Sequence, residues 1–333
     1  MSTSCRQRIF IAVAAFSLAL TCTSAAPIPI TVQVLDAPGQ GFNDPVLGAA
    51  RQAAFRYAAD LWGSFFETTF PGQVVDIGVQ FDAGITGSSV AHSSAIVGRP
   101  TRQSNYQTTI AHAENLFGRD FSGTRLHGTV TFNPNIDFFL GTSGTPAPNQ
   151  IDLVTFGLHE LGHIFGFTSG LTADGEYRSS VADVPFFYDF GVTDASCNQL
   201  VNMAPEQRIA LATSGNGLFW CGTNGFAANG DQPFNLSAGL IFNPDVNVLH
   251  ISDTFFPVEV LMDPNKFFGE AIHTLHAVER GIFMDLEWTL APVRVAAEPP
   301  SFALLAIALA ALGLMRRRRE GSILDAMERC PAC

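Results

Sequence analysis

Lysine is almost missing from this chain: Lys266 is the only one among 333 residues. Charged side chains of all kinds reach only 14%, and 30 carboxylates face 18 basic groups for a net charge of −12. Part of that basic minority sits at the ends, in Arg6, Arg8 and the run Arg316, Arg317, Arg318, Arg319. The stretch between is therefore strongly acidic, which argues against nucleic acid and anionic membrane as its partners and says little about its fold. Cysteine is scarce too. Only Cys197 and Cys221 lie in the central part. They could close a loop of roughly 25 residues as a disulfide, a crosslink that contributes roughly 3 kcal/mol on the loop-entropy model. No cysteine between the N-terminal segment and the central part is placed to act as a thiol switch. Cys330 and Cys333 form a lone C-x-x-C, a weak signal to which nothing is assigned.

Long apolar runs occur only at the two ends. Ile9 to Leu20 follows Arg6 and Arg8 and precedes Thr23, Ser24, Ala25 and Ala26. Positive charge, apolar run and small residues in that order predict a secretory signal over residues 1–26. Near the other end, Glu298, Pro299 and Pro300 introduce "SFALLAIALAALGLM" and the arginine run. As a helix the apolar stretch would span roughly 22 Å, short of a hydrocarbon core of roughly 30 Å. Arginines retained on the cytoplasmic side would leave the main domain outside. This order resembles a PEP-CTERM sorting signal, whose tail an exosortase removes during export; a plain single-span anchor is the alternative. The expected layout is a signal peptide over 1–26, one domain over 27–297, a sorting or membrane segment over 298–319 and a short cytoplasmic tail over 320–333. The expected location is exported, extracellular or cell-surface, with transient insertion in the inner membrane. The expected partners are the secretion machinery and an exosortase-type enzyme.

Within the domain, "ITVQVLDA" from Ile30 alternates as a strand does, and "VVDIGVQFD" from Val74 reads as a second. Between them Val46, Ala50, Ala53, Ala54, Tyr57 and Leu61 keep helical spacing, with Asp44 as a plausible cap and Pro45 as the first helical residue. A Gly- and Ser-rich stretch leads to a helix near Thr108 to Phe117. "GTVTFNPNIDFFL" reads as strand, turn, strand, either a platform for an extended peptide or an ordinary edge strand. "APEQRIALATS" reads as a short helix, and the rest up to Pro257 as mostly turns. "NPNID", "NPDVN" and "DPNK" are rich in side-chain oxygen but lack EF-hand spacing, and turns explain them.

The chemistry lies in "HELGHIFGF", His159 to Phe167. The helix that carries it is apolar on most faces through Leu153, Val154, Phe156, Leu158, Leu161 and Ile164, which predicts burial, and Gly166 can end it in a left-handed turn. Residues four apart on a helix differ by about 40° in azimuth and about 6 Å in rise. His159 and His163 can therefore aim at one ion. Glu160, about 100° around, can reach a water on that ion without ligating it. Zinc acidifies such a water and polarises a scissile carbonyl, while the glutamate takes and returns the proton. Two core histidines bonded to the backbone would be the ordinary alternative, but a buried glutamate beside them needs a partner.

A hydrolytic zinc site needs a third protein ligand. The position three beyond Gly166 is Ser169, a poor ligand. His92, His112 and His127 precede the motif; His250, His273 and His276 follow it. "NVLHISDTFFPVEVLMDP" sets His250 a dozen residues before Met262. From Leu153 to Trp288 the chain resembles secreted metallopeptidases of the metzincin class related to leishmanolysin. The pieces are His159 to Phe167, Tyr188–Asp189, Leu218 to Gly222, His250 to Asp253, Leu261 to Pro264 and Asp285 to Trp288. The resemblance implies an α+β metzincin-like fold: a twisted mixed sheet, a buried active-site helix and a loop-rich lower lobe. It implies Zn2+ held by His159, His163 and His250, a Met-turn at Met262, Glu160 as the catalytic base and a peptide or protein substrate. His250 stands three residues before Asp253, where the family has two, so His273 and His276 remain alternatives as third ligand. A zinc endopeptidase is the expected function. The rivals are a catalytically inactive surface or matrix protein keeping the fold, and a zinc hydrolase of a non-peptide substrate.

Overall fold

The structure is a computed structural model that describes residues 26–292, apart from 86–88, 100, 102–103, 254–259 and 266–267. The chain divides into two compact units, residues 1–291 and 292–333, and the first holds every element below.

The chain begins with strand β1 (Ile30–Val34), helix α1 (Gly48–Phe65) and strand β2 (Val75–Phe81). Edge strand β3 (Ala91–Ala95), helix α2 (Ile110–Phe117) and strand β4 (Gly128–Phe132) follow. The sheet order is β1-β2-β4-β3. β1, β2 and β4 run parallel, with Val32 beside Ile77 and Val79 beside Val130, and β3 runs antiparallel to β4 with Ser93 beside Val130. Parallel neighbours need a crossover, and α1 supplies the one between β1 and β2. β2 is the most apolar strand because it is central, with Val75, Ile77 and Val79 sealed from solvent. Asp44 does cap a turn, accepting from the backbone N–H groups of Val46 and Leu47 at 2.8 and 2.7 Å, but the helix proper starts three residues later than Pro45.

Helix α3 (Leu153–Ile164) packs against α1 beneath this sheet, and only His163 among its residues escapes full burial. Asp152 caps it, accepting from the Thr155 N–H at 2.7 Å. Gly166 ends it at φ +110°, a conformation side chains avoid, and a Cβ there would also meet the His112 ring at 3.2 Å. An aromatic cluster of Trp62, Phe66, Phe165, Phe283 and Trp288 joins α1 to the end of α3, with centroids 4.9–5.7 Å apart in the closer pairs.

Beyond Gly166 the chain is mostly turns with α4 (Pro205–Ala212), α5 (Thr223–Ala228) and α6 (Ala277–Asp285). A small antiparallel sheet joins Val192–Thr193, Phe219–Trp220 and Phe234–Asn235. Cys197 and Cys221 are disulfide-bonded, with Cα atoms 5.7 Å apart. The fold is thus mixed α+β with a mixed sheet.

Two expectations are corrected. "GTVTF" is not an edge strand open to a peptide: β4 is paired on both sides, and the edge next to it is β3, hidden in the sequence by its Ser- and Ala-rich composition. The membrane assignments also fail. No helix among the described residues is long and apolar enough to cross a membrane. The longest, α1, has 18 residues and carries Arg51, Arg56 and Asp60, which a hydrocarbon core would not accept. The transmembrane keyword, transient membrane insertion and inner-membrane anchoring are therefore withdrawn. Residues 1–25 and 298–319, on which export, the secretion machinery and the exosortase rested, lie outside the described residues.

Candidate metal centre

Three imidazoles converge between α3 and the later loops. His159, His163 and His250 each offer a ring nitrogen, and these atoms lie within 4.8 Å of one another. The Nε2 atom of His159 is 3.1 Å from that of His250 and 3.2 Å from that of His163. His159 and His250 are buried, at 5% and 4% exposure.

The other ring nitrogens fix the proton positions. Nδ1 of His159 lies 2.7 Å from the Leu261 carbonyl oxygen, Nδ1 of His163 2.6 Å from that of Phe167, and Nδ1 of His250 3.1 Å from that of Val246. A carbonyl oxygen can only accept, so each Nδ1 donates and each neutral ring presents an Nε2 lone pair to the centre. Three lone pairs at this separation repel unless a cation lies among them. Zn–N bonds of about 2.0–2.1 Å at tetrahedral angles put nitrogens about 3.3 Å apart, close to the observed spacing. The donor set fits a divalent metal.

Local chain geometry delivers each ligand. Helical spacing aligns His159 with His163. His250 is brought in from the far side by Val248, buried with φ at +77°, a costly conformation for a β-branched residue. The Val248 peptide is held by the Tyr188 hydroxyl, which donates to its carbonyl at 3.0 Å, and by its own N–H donating to Ser237 at 2.8 Å. Leu261 and Met262 form the turn beneath α3. A Cβ on Gly162 would lie 2.6 Å from the Met262 sulfur, so a larger residue there would force the Met262 side chain to shift. Glu279, fully buried on α6, accepts from the Met262 N–H and the His276 N–H, each at 2.7 Å. The Ile251 N–H donates to the Met262 carbonyl at 2.8 Å, tying the turn to the residue after His250.

The remaining histidines lie elsewhere. His273 donates to Asp152 at 2.8 Å, and His276 caps α6. His127 bridges Glu114 at 3.0 Å and the Asp76 N–H at 2.9 Å. His112 donates to the Leu286 carbonyl and accepts from the Thr108 hydroxyl, both at 2.6 Å, and burial pushes its pKa down to about 4. His92 stands exposed on β3. Ser169 is structural: its hydroxyl donates to Asp189 at 2.6 Å. Burial raises the Asp189 carboxyl to about 7, although Ser169 and the Phe186 and Gly170 N–H groups oppose the shift. Glu160 follows His159 directly and is 5% exposed.

Sequence reasoning missed the three orienting carbonyls and the Glu279 clamp. Backbone acceptors leave no residue signature, but Glu279, three residues after His276, stands at capping-box spacing that the sequence does show. No family model, no curated protein and no solved structure matches this chain.

Proposed function

We propose that the protein is a zinc-dependent endopeptidase of metzincin type. The observation that carries this reading is the convergence of three imidazole rings whose Nδ1 atoms are each held by a backbone carbonyl. Three neutral imidazoles leave a fourth position for water or substrate, the arrangement of hydrolytic rather than closed structural zinc sites. When bound, zinc would supply a Lewis acid that polarises a scissile carbonyl and acidifies a water. The chain's own part is positioning and proton transfer. Glu160, one residue from His159 and largely shielded, would accept a proton from the attacking water and pass it to the leaving amine. β3 lies against α3 and, among the described residues, is paired only with β4. Its outer edge can hold an extended peptide by backbone hydrogen bonds, which favours a peptide over other substrates.

The test is Glu160→Gln in the zinc-loaded protein, assayed on a denatured-protein or peptide library. Cleavage should fall by several orders of magnitude while zinc content and fold persist. Near wild-type cleavage by the variant would overturn the mechanism. Zinc binding without cleavage by the wild type would leave a non-catalytic protein or a hydrolase of another substrate.

A further inference from the structure

Asp152 carries more than a helix cap requires. Its Oδ2 accepts from the Thr155 N–H at 2.7 Å, from the Thr155 hydroxyl at 2.8 Å and from His273 Nε2 at 2.8 Å. Its Oδ1, in a side chain only 1% exposed, is buried and has no hydrogen-bond partner among the described residues. A carboxylate with one oxygen saturated and the other bare is an expensive thing to bury.

Asp152 lines a cavity of about 20 Å³. That volume holds about one water-sized body, since a single water needs on the order of 10–15 Å³ by the same measure. Thr155 and the exposed Asn265 and Glu270 also line it, against an apolar wall of Phe156, Val260 and Ile272. The Asn265 amide nitrogen is already committed to Asp253 at 2.6 Å, which leaves its oxygen as the donor atom on offer. The polar side chains in the lining can offer oxygen, and no histidine or cysteine is among them. Soft and borderline metals are thereby disfavoured, and hard cations favoured.

We propose that this cavity is a second metal site, for a calcium-sized divalent cation, held by Asp152 Oδ1, the Glu270 carboxylate and the Asn265 amide oxygen. Two carboxylates balance the charge of the ion. The N-terminal dipole of α3, which opposes a cation, is already met by Oδ2 on the Thr155 N–H. An irregular mix of side-chain oxygens suits calcium, whereas magnesium demands a near-ideal octahedron. Few charged ligands and a partly open mouth imply a dissociation constant of about 10⁻⁴–10⁻³ M. Seven residues separate Asp152 from His159 on one helix, about 10 Å along its axis, so this site is distinct from the histidine centre. Its occupant would tie Asn265 and Glu270, and through Asn265 the turn that carries the Leu261 carbonyl under His159, to the start of α3. The "DPNK" stretch, read from sequence as a simple turn, supplies Asn265 to this site.

The experiment is calorimetric titration of calcium chloride into the full chain loaded with zinc, together with thermal unfolding at 10 mM calcium. The expected result is one calcium per chain and a raised Tm. Glu270→Gln, on an exposed side chain, should weaken binding tenfold or more. Asp152→Asn, which keeps an N-cap acceptor, should abolish it with zinc content unchanged. Absence of both heat and Tm shift in the wild type overturns the site and leaves water as the partner of Oδ1. Equal calcium binding by both variants places the ion elsewhere and overturns it too, and equal affinity for magnesium overturns the assignment of ion type.

Discussion

His159 donates through Nδ1 to the carbonyl oxygen of Leu261, 2.7 Å away and 102 residues later in the chain. One hydrogen bond thereby sets the ring's tautomer, its orientation and the position of the turn that ends at Met262. The next residue's N–H donates to Glu279, so α6 holds the turn that holds the ligand. Such outer partners commonly shift metal affinity by about 10–100-fold when removed.

Glu279→Gln should therefore weaken the metal centre without touching it. The amide would present an N–H₂ to either the Met262 or the His276 N–H, leaving two donors face to face in a buried place. Zinc affinity measured by competition with a chelator should fall about tenfold or more, and Tm should drop as well. Unchanged affinity would separate the turn from ligand orientation.

The three downstream histidines should behave differently. His250→Ala should reduce zinc affinity as sharply as His163→Ala does. His276→Ala should leave it nearly intact, with a small loss of α6 capping. His273→Ala should also retain zinc, and should cost about 1 kcal/mol of stability through the lost bond to Asp152. Chelator competition and thermal unfolding of the three variants read both effects.

Gly162→Ala tests the close approach of the turn. Helix propensity alone favours alanine in a helix interior by roughly 1 kcal/mol. The new Cβ would fall 2.6 Å from the Met262 sulfur and 3.3 Å from the Trp62 ring, and overpacking of this kind costs about 1–3 kcal/mol. A net fall in Tm is expected. A rise would mean that Met262 moves aside freely.

Asp189 gives the fold a pH dependence of unusual sign for a carboxylate. Burial raises its folded pKa to about 7 from 3.8, so the folded state binds the proton more tightly than the unfolded chain. Its contribution is fully present below about pH 4 and is lost as pH rises through about 7, by about 4 kcal/mol at most. Denaturant unfolding of metal-free wild type should lose more stability between pH 4 and 7 than metal-free Asp189→Asn. Comparing two metal-free proteins cancels the titration of the histidine cluster. Parallel pH profiles would refute the raised pKa.

Much of this was legible in the sequence because it is local. Helix α3, its burial, its end at Gly166 and the facing of His159 and His163 all follow from spacing within one turn or two. Strands β1 and β2 and the helix between them followed from apolar alternation and helical spacing, but their parallel pairing was not read. Edge strand β3 did not: "AHSSA" lacks apolar contrast, and its pairing with β4 is a long-range fact. α5 was read as turn because Asn224 and Gly225 lie inside a six-residue helix too short to show a period, and Asn229 ends it. At the centre, His250 could be ranked only by its distance from Met262. What brings it to the other two is a left-handed valine and a tyrosine hydroxyl some sixty residues away, neither of which leaves a pattern in sequence.

The most direct measurement is metal analysis with zinc-edge absorption spectroscopy on the full chain after zinc loading and removal of loosely bound ions. The account predicts about one zinc per chain, with about three imidazole nitrogens at about 2.0–2.1 Å, and loss of that signal in His250→Ala. A wild-type protein without retained zinc, or a spectrum from His250→Ala identical to that of the wild type, would contradict it.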